Sequence, residues 1–279
     1  MPDVAAATII AKNYLSYARV LARSFLQFHP DIPFFVLLID EAEGFFDPAL
    51  EPFRVLRVPL PAARGGSAKQ VAAGAKPYVL QHLLDQGFGS ALFLDPDILV
   101  LGDLETLLSQ VQQHAVVLTP HLTAPLTGTD RVQRELNILQ SGVYNGGLVG
   151  VSESPSGRRF LTWWRDRLDA HCGKDIARGL YYDQRWLDLA AVFFDDVFIL
   201  RDPRYNVAHW NLPERDVSNC RLMHFSGFDP DRPEVVTRHS SRLEMRSIGE
   251  AAALFRLYAK LLEGEGYHET RPWSFGRTA

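Results

Sequence analysis

The sequence predicts an α/β fold in which a mixed, mostly parallel β-sheet is flanked by helices. Continuous apolar runs at residues 5–11, 34–39 and 91–94 are typical of strands that are buried on both faces. Between the first two runs, Ala18 and Leu21 continue a helical apolar stripe. Because this strand–helix–strand order provides a crossover helix, the first two strands are expected to be parallel.

The other elements are predicted from apolar runs and from the Gly and Pro residues that end them. Pro30 ends the first helix. Gly87 ends a second helix, in which Pro77 is expected to start a separate helical segment. Further strands are predicted at residues 53–58, 115–118, 148–151 and 197–200, and a last strand and turn at 222–227. Further helices are predicted from residue 103 and at 156–170, 179–191 and 247–262. Loops are predicted at residues 59–67 and 121–140, the latter with a helical patch at 132–139.

Composition excludes several classes of protein. The net charge of −4 over 279 residues argues against a nucleic-acid binder that is held by phosphate contacts. No apolar run reaches the ~18 residues that a membrane span needs. The N-terminus lacks a basic leader, so a signal peptide is not expected. Cys172 and Cys220 alone provide neither a disulfide framework nor a four-cysteine zinc site, which favours the reducing cytoplasm.

One domain covering residues 1–279 is predicted, because no linker-like shift in composition divides the chain. The C-terminal helix and tail, about residues 247–279, are expected to pack on this domain or to extend from it.

Two carboxylates follow the buried run at residues 91–94. Asp95 and Asp97 flank Pro96, which fixes φ and lacks a backbone donor, so the strand is expected to stop there. In an open α/β sheet, ligands bind at the carboxyl ends of the strands. Two close oxygen donors suit Mg²⁺ or Mn²⁺ that is also held by a diphosphate. The alternative is a surface turn, since Asp and Pro are ordinary turn residues.

A third metal ligand is sought among the histidines, and His224 is the best candidate. It lies at the end of a predicted strand, near Gly227, and Mn²⁺ accepts imidazole as well as carboxylate. The alternative is a half-buried histidine that is hydrogen-bonded in a turn.

Three further groups could contact a ligand, and each has a structural alternative. Asn145, before two glycines, could hydrogen-bond a sugar, or could form a turn before a strand. Asp183 and Gln184, on a helix expected to start near residue 181, could face a cleft or cap the helix. Lys76 could neutralise a diphosphate, or could be a solvated surface lysine.

The order of these pieces resembles that of the GT-A-fold glycosyltransferases, closest to the retaining family-8-like group that includes glycogenin and bacterial galactosyltransferases. The resemblance runs from about Thr8 to Gly227. The motifs that carry it are Lys12-Asn13-Tyr14, Leu94-Asp95-Pro96-Asp97-Ile98, Tyr144-Asn145-Gly146-Gly147, Asp183-Gln184 and His224-Phe225-Ser226-Gly227.

The resemblance implies a nucleotide-sugar donor, commonly linked to UDP, and a divalent metal. Asp95, Asp97 and His224 would hold Mn²⁺, or Mg²⁺, against the donor's diphosphate. Asn13 and Tyr14 match the segment that meets the base and ribose.

The remaining matched positions are implied to surround the donor. Lys76 falls where a cation meets the diphosphate or sugar, and Gly146 and Gly227 match nucleotide-sugar-binding positions. Catalytic positions around the transferred sugar are matched by Asn145, Asp183 and Gln184.

The chain departs from the family pattern after Gly227. The family's final motif continues to a lysine that grips the diphosphate, but here Phe228-Asp229-Pro230 follows. Arg232 is the expected substitute, and a divergent branch is implied.

The predicted function is transfer of a sugar from a nucleotide sugar to a glycan, lipid-linked or protein acceptor, with peripheral membrane contact left open. Retention is favoured, although Asp183 could serve as the base of an inverting enzyme. Two alternatives are a sugar nucleotidyltransferase and a non-catalytic glycan or nucleotide binder. The first normally has a glycine-rich loop after strand 1, which is absent here. For the second, Trp210 is the candidate glycan contact, while Trp163 and Trp164 are expected in the core.

Overall fold

A computed structural model describes residues 3–61, 66–212 and 214–276 of the chain, and its backbone forms strands flanked by helices. The strands are β1 Val4–Ile10, β2 Phe34–Leu38, β3 Arg54–Leu56, β4 Ser90–Leu94, β5 Ile98–Val100, β6 Val116–Pro120, β7 Tyr144–Ser152, β8 Lys174–Asp175, β9 Leu180–Tyr181, β10 Val197–Ile199 and β11 Leu222–His224. The helices are α1 Leu15–Phe28, α2 Ala68–Asp85, α3 Glu105–Gln113, α4 Arg131–Ser141, α5 Pro155–His171, α6 Gln184–Phe193, α7 Ala251–Gly264 and α8 Tyr267–Thr270.

Seven strands form the main sheet in the order β10-β6-β7-β4-β1-β2-β3. Strand β1 pairs in parallel with both β2 and β4, and β2–β3 and β10–β6 are also parallel pairs. Strand β7 runs antiparallel between β4 and β6. The predicted mixed, mostly parallel sheet flanked by helices is therefore confirmed.

Helices cover both faces of this sheet, which explains why the strands lack polar alternation. Alternate residues of β1 pack on opposite faces: Ala5 and Ala7 lie in a core with α2 and α5, whereas Val4 and Ala6 lie in a core with α1 and α3. Every residue of β1 is buried.

Two helices differ from the prediction. Pro77 lies inside the continuous helix α2 and does not start a second segment. Val71 and Ala75 before it, and Val79 and Leu83 after it, pack in one core, so tertiary contacts hold a single helix through the proline. The segment predicted as a loop at 121–140 contains the regular helix α4, which has no buried residue and therefore gave only a patch of helical pattern.

Two boundaries near the predicted site were also wrong. Asn145 to Gly147 lie within strand β7, not in a turn before it. Helix α6 begins at Gln184, because the preceding residues form the β8–β9 hairpin and Tyr182 has a φ of +50°. The predicted loop at 59–67 lies partly outside the described residues.

The C-terminal segment packs on the preceding fold. Helix α7 places Tyr258 in parallel stacking on Phe225, with ring centroids 4.0 Å apart, and buries Phe255 beside them. Beyond α8, the indole of Trp273 contacts Phe45. Residues 277–279 of the tail lie outside the described part. The assignment of the whole chain to one domain stays a prediction.

Among the described residues, no helix has both the length and the apolar character that a bilayer crossing requires.

Trp164 links the core to the end of the β8–β9 hairpin. Its side chain is fully buried, and its indole N–H donates to the backbone oxygen of Asp183 over 3.2 Å. We expect Trp164→Ala to lower the free energy of unfolding by about 3–5 kcal/mol, because a large cavity and an unpaired buried carbonyl remain. Chemical denaturation followed by fluorescence would measure this loss. Trp163→Ala, at a partly buried neighbour, is the control and should cost clearly less; equal costs would contradict this account.

Candidate functional site

A cleft of about 710 Å³ opens at the carboxyl edge of the sheet, where β1 and β4 end. Its volume is within the usual range for small-molecule sites. Most of the site residues predicted from the sequence line it: Tyr14, Lys76, Asp95, Asp97, Asn145, Asp183, Gln184, His224 and Gly227.

Asp95 and Asp97 are fixed by backbone hydrogen bonds on both sides of Pro96. The N–H of Asp95 donates to the Gly147 oxygen over 2.8 Å, which extends the β4–β7 ladder to this residue. The oxygen of Asp97 accepts from the N–H of Phe225 over 2.8 Å. The Asp-Pro-Asp turn is therefore anchored to two different strands at the cleft floor.

His224 reaches the two carboxylates because of strand register. In the antiparallel β5–β11 pair, His224 lies opposite Ile98, the residue after Asp97. Its Nε2 is 2.9 Å from Oδ1 of Asp97 and 3.8 Å from Oδ2 of Asp95. The ring is buried, which opposes charging, but the hydrogen bond and charge of Asp97 raise the pKa of His224 and His224 in turn lowers the pKa of Asp97.

The donor set of these three residues fits a divalent metal. One ligand atom from each of Asp95, Asp97 and His224 lies within 4.8 Å of the other two. Two carboxylate oxygens with one imidazole nitrogen suit Mn²⁺, whereas Mg²⁺ prefers oxygen donors alone. The buried Nδ1 of His224 has no hydrogen-bond partner among the described residues. The identity of the metal stays a prediction.

Lys76 is buried, not a solvated surface lysine. Its ammonium group is 2.8 Å from Oδ2 of Asp183, 2.8 Å from the Gly146 oxygen and 3.2 Å from Oδ1 of Asp95. Burial alone would lower the pKa of Lys76, but the charges of Asp183 and Asp95 raise it, so the side chain is a cation at physiological pH.

Asp183 does not cap helix α6. It occupies the N-cap position, but its side chain forms no capping hydrogen bond and pairs with Lys76 instead. The alternative assignment of this residue as a helix cap is therefore wrong, and its carboxylate faces the cleft.

Gly146 and Gly147 allow the charged side chains to approach strand β7. A Cβ on Gly146 would lie 2.2 Å from Oδ2 of Asp183, and a Cβ on Gly147 would lie 2.6 Å from Oδ2 of Asp95. The glycine pair is thus required by close approach and not by a turn.

The two amide side chains are held by backbone groups. Oδ1 of Asn145 accepts from the N–H of Gly147, and its Nδ2 lies 3.5 Å from Nε2 of His121. Oε1 of Gln184 accepts from the N–H of Gly146, and its Nε2 donates to the Ser141 oxygen. Both residues line the cleft and fix its wall, and their catalytic roles stay predictions.

Asn13 and Tyr14, which follow β1, differ in their position relative to the cleft. Tyr14 lines the cleft, with its ring stacked on Tyr17 at 4.7 Å, whereas Asn13 is not among the lining residues. On the opposite side, Gly227 has a φ of +75°, and a Cβ there would meet His239 and Thr237 at 2.6 Å.

The expected substitute for the missing lysine, Arg232, does not line the cleft, and its side chain is exposed. Arg238 does line the cleft. The backbone N–H of Arg238 donates to the backbone oxygen of Gly227 over 2.9 Å, so the loop that begins at Gly227 folds back onto that residue. Arg232 was chosen because it is close to Gly227 along the chain, but the structure places Arg238 and not Arg232 at the cleft.

Other lining residues were not predicted from the sequence: Lys69, His121, Lys174, His209, Arg238 and His239. The indole of Trp210, which was predicted as a glycan contact, meets His121, His209 and His224 edge-to-face at 4.9, 5.0 and 5.3 Å. Its Nε1 is buried without a partner among the described residues. The fold brings His121 and His224 to the adjacent pair His209 and Trp210, and no spacing in the sequence indicates that contact.

Comparison with known proteins identifies the fold. No family model matches the sequence. The uncharacterized protein YfnF of Bacillus subtilis (strain 168) is 23% identical over an alignment of 245 positions, which covers 79% of this chain and 80% of YfnF.

Two solved structures are similar over most of the chain. The galactosyltransferase LgtC, solved with donor and acceptor sugar analogs, has 18% identity and a TM-score of 0.50, covering 91% of this chain and 95% of LgtC. The glycosyltransferase GlyE of Streptococcus pneumoniae TIGR4 has 13% identity and a TM-score of 0.58; the match covers 100% of this chain but 66% of GlyE. The chain therefore has the fold of the GT-A glycosyltransferases, as the order of its motifs predicted.

Gly147→Ala tests whether close approach to β7 holds the three candidate metal ligands together. Its methyl group would meet Asp95, Asn145 and His224 at 2.6–2.7 Å. We expect Mn²⁺ affinity to fall by roughly 10–100-fold, the range seen when supporting groups of metal sites are disturbed. Titration followed by Mn²⁺ electron paramagnetic resonance would measure it. Gly264→Ala, where the added methyl meets nothing within 4 Å, should bind Mn²⁺ like the parent protein; unchanged affinity in Gly147→Ala would contradict the assignment.

Proposed function

We propose that this protein is a metal-dependent glycosyltransferase that transfers a sugar from a UDP-sugar, with retention, to a glycan, lipid-linked or protein acceptor. The observation that carries the proposal is the meeting of Asp95, Asp97 and His224 with the Lys76–Asp183 ion pair in one cleft at the carboxyl edge of the sheet. The fold shared with LgtC and GlyE supports it.

Asp95, Asp97 and His224 would hold Mn²⁺ at the leaving-group end of the cleft. There the ion would stabilise the negative charge that develops on the diphosphate as the sugar–phosphate bond breaks. With both carboxylates used as ligands, neither Asp95 nor Asp97 is assigned to proton transfer.

Lys76 and Asp183 are assigned to the transferred sugar. Lys76 forms ion pairs with both Asp95 and Asp183, so it links the proposed metal ligand Asp95 to the carboxylate of Asp183. The carboxylate of Asp183, with its charge compensated by Lys76, is suited to accept hydrogen bonds from sugar hydroxyls. Asn145 and Gln184 support this wall and complete the proposed sugar site.

Retention is supported by the bases that the cleft offers. Among the described lining residues, the carboxylates are Asp95, Asp97 and Asp183, two of them metal ligands and the third paired with Lys76. Burial lowers the pKa of His121 and that of His239 to about 4 and that of His209 to about 3, so these imidazoles are weak bases. Without a strong protein base, the departing phosphate oxygen is the proposed acceptor of the proton.

Tyr14 is assigned to the nucleotide, beside Arg238, which takes the role that the sequence suggested for Arg232. Burial raises the pKa of Tyr14, whereas the charge of Arg238 and a hydrogen bond from its side chain lower it, so the two side chains are neighbours in the cleft.

A cytoplasmic location agrees with the cysteine content, and peripheral contact with a membrane would give access to a lipid-linked acceptor.

Nucleotide binding tests the proposal. The protein should be stabilised against heat by UDP only when Mn²⁺ is present, because a ligand that binds the folded state raises the melting temperature. Asp97→Ala should lose this response, with UDP affinity reduced by at least roughly 100-fold, or about 2.7 kcal/mol. Slow hydrolysis of a UDP-sugar by the parent protein would distinguish an enzyme from a non-catalytic binder. Absence of nucleotide binding with any divalent metal would refute the proposal.

Arg238→Gln separates the two arginines that follow Gly227. We expect it to weaken UDP binding in Mn²⁺ by about 10–100-fold, as charge-assisted hydrogen bonds to phosphate contribute about 1.5–3 kcal/mol. Arg232→Gln, at an exposed position outside the cleft, is the control and should bind UDP normally. Isothermal titration calorimetry would decide, and the reverse result would restore the assignment to Arg232.

A further inference from the structure

Two lysines at the cleft have no role in the proposed transfer. Lys69, on α2, and Lys174, on β8, both line the cleft. Within the described parts of the chain, neither side chain forms an ion pair. Their ammonium groups lie instead over two consecutive aromatic rings, Lys69 at 4.7 Å from the centre of Tyr182 and Lys174 at 5.5 Å from the centre of Tyr181.

The two tyrosines directly precede Asp183. Lys76 forms ion pairs with Asp95 and with Asp183. The two residues before Asp183 are the tyrosines whose rings lie under Lys69 and Lys174. Both lysines are also within electrostatic range of His239, another residue that lines the cleft. Lys69 is also within electrostatic range of Asp95 and Arg238.

The segments that carry the lysines are fixed to each other. Nε2 of Gln70, the residue after Lys69, donates to the Cys172 oxygen over 2.5 Å, and Sγ of Cys172 donates to the Gln70 oxygen over 3.4 Å. Cys172 lies two residues before Lys174. The backbones that present the two cations are thus held together without a ligand, which reduces the cost of ordering them on binding.

This arrangement carries costs that packing does not require. Lys69 is in the first turn of α2, where the helix dipole disfavours a cation. Tyr182 has a φ of +50°, a region that residues with a Cβ rarely occupy. Two cations that form no ion pair among the described residues lie over aromatic rings beside a ligand cleft, one of them the strained Tyr182, which indicates a binding role.

We propose that Lys69 and Lys174 form a second anion site in the cleft, which binds a phosphate or carboxylate group of the acceptor. The inference rests on the proposed transferase function, in which the donor's diphosphate is held by the metal and Arg238. It assigns the acceptor to the class of anionic glycans or phosphate-linked sugars. Two ammonium groups can neutralise a phosphate, and Tyr181 and Tyr182 can pack against the sugar that carries it.

The test uses binding of small sugars while the donor site is filled. Glucose 6-phosphate, glucuronate and uncharged glucose would be titrated by calorimetry into the protein saturated with UDP and Mn²⁺. The proteins are the parent, Lys69→Gln/Lys174→Gln, and Arg178→Gln as a matched control, since Arg178 is an exposed cation of the same hairpin outside the cleft. UDP affinity in Mn²⁺ would be measured first for each protein.

We expect at least one charged sugar to bind the parent protein at least about tenfold more tightly than glucose, and the double variant to lose this preference. Preference for the phosphate over the carboxylate, or the reverse, would identify the anion. Arg178→Gln should behave like the parent, and UDP should bind all three proteins equally.

Three results would overturn the inference: equal binding of charged and uncharged sugars by the parent, an unchanged preference in the double variant, or loss of UDP affinity in that variant. The last would show that the lysines hold the donor diphosphate. Failure of the parent protein to bind UDP would instead refute the proposed function, and the same sugar titrations without UDP would still test the anion site.

Discussion

The arrangement of the cleft depends on one buried ammonium group, that of Lys76. Three carboxylates meet within a small volume, and without a cation between them their repulsion and loss of hydration would oppose the fold. Lys76 contacts Asp183 and Asp95 and also the Gly146 oxygen, so it joins helix α2 to the ends of β4 and β7 and to the start of α6. The candidate metal ligands and the proposed sugar site are therefore parts of one charged network.

Close approach of backbone to side chain makes this network possible. Strand β7 runs antiparallel between β4 and β6. Gly146 leaves room for the side chain of Asp183, and Gly147 leaves room for those of Asp95 and His224. The β5–β11 register then places His224 beside Asp97. The metal-ligand candidates are thus positioned by paired strands or lie directly beside them, which gives better defined geometry than a long loop would.

Much of this could be predicted from the sequence because its signals are local. Buried strands show as apolar runs, and Asp95 and Asp97 directly follow one of them, so the fold and these candidate metal ligands could be predicted. Lys76 was harder: nothing near it in the sequence shows that it is buried, because both of its acidic partners are distant along the chain. Arg238 and Lys174 were missed for the same reason, since a loop return and a short hairpin bring them to the cleft. Helix α4 was predicted only as a helical patch within a loop, because it buries no residue.

The most direct test of the central claim is to locate the metal. Crystals grown with MnCl₂ and UDP, measured at the manganese absorption edge, would give an anomalous difference map. The account predicts one strong peak contacted by Asp95, Asp97 and Nε2 of His224, with the diphosphate on its open side. UDP bound in the cleft with no manganese peak at these three residues, or a peak at other ligands, would contradict it.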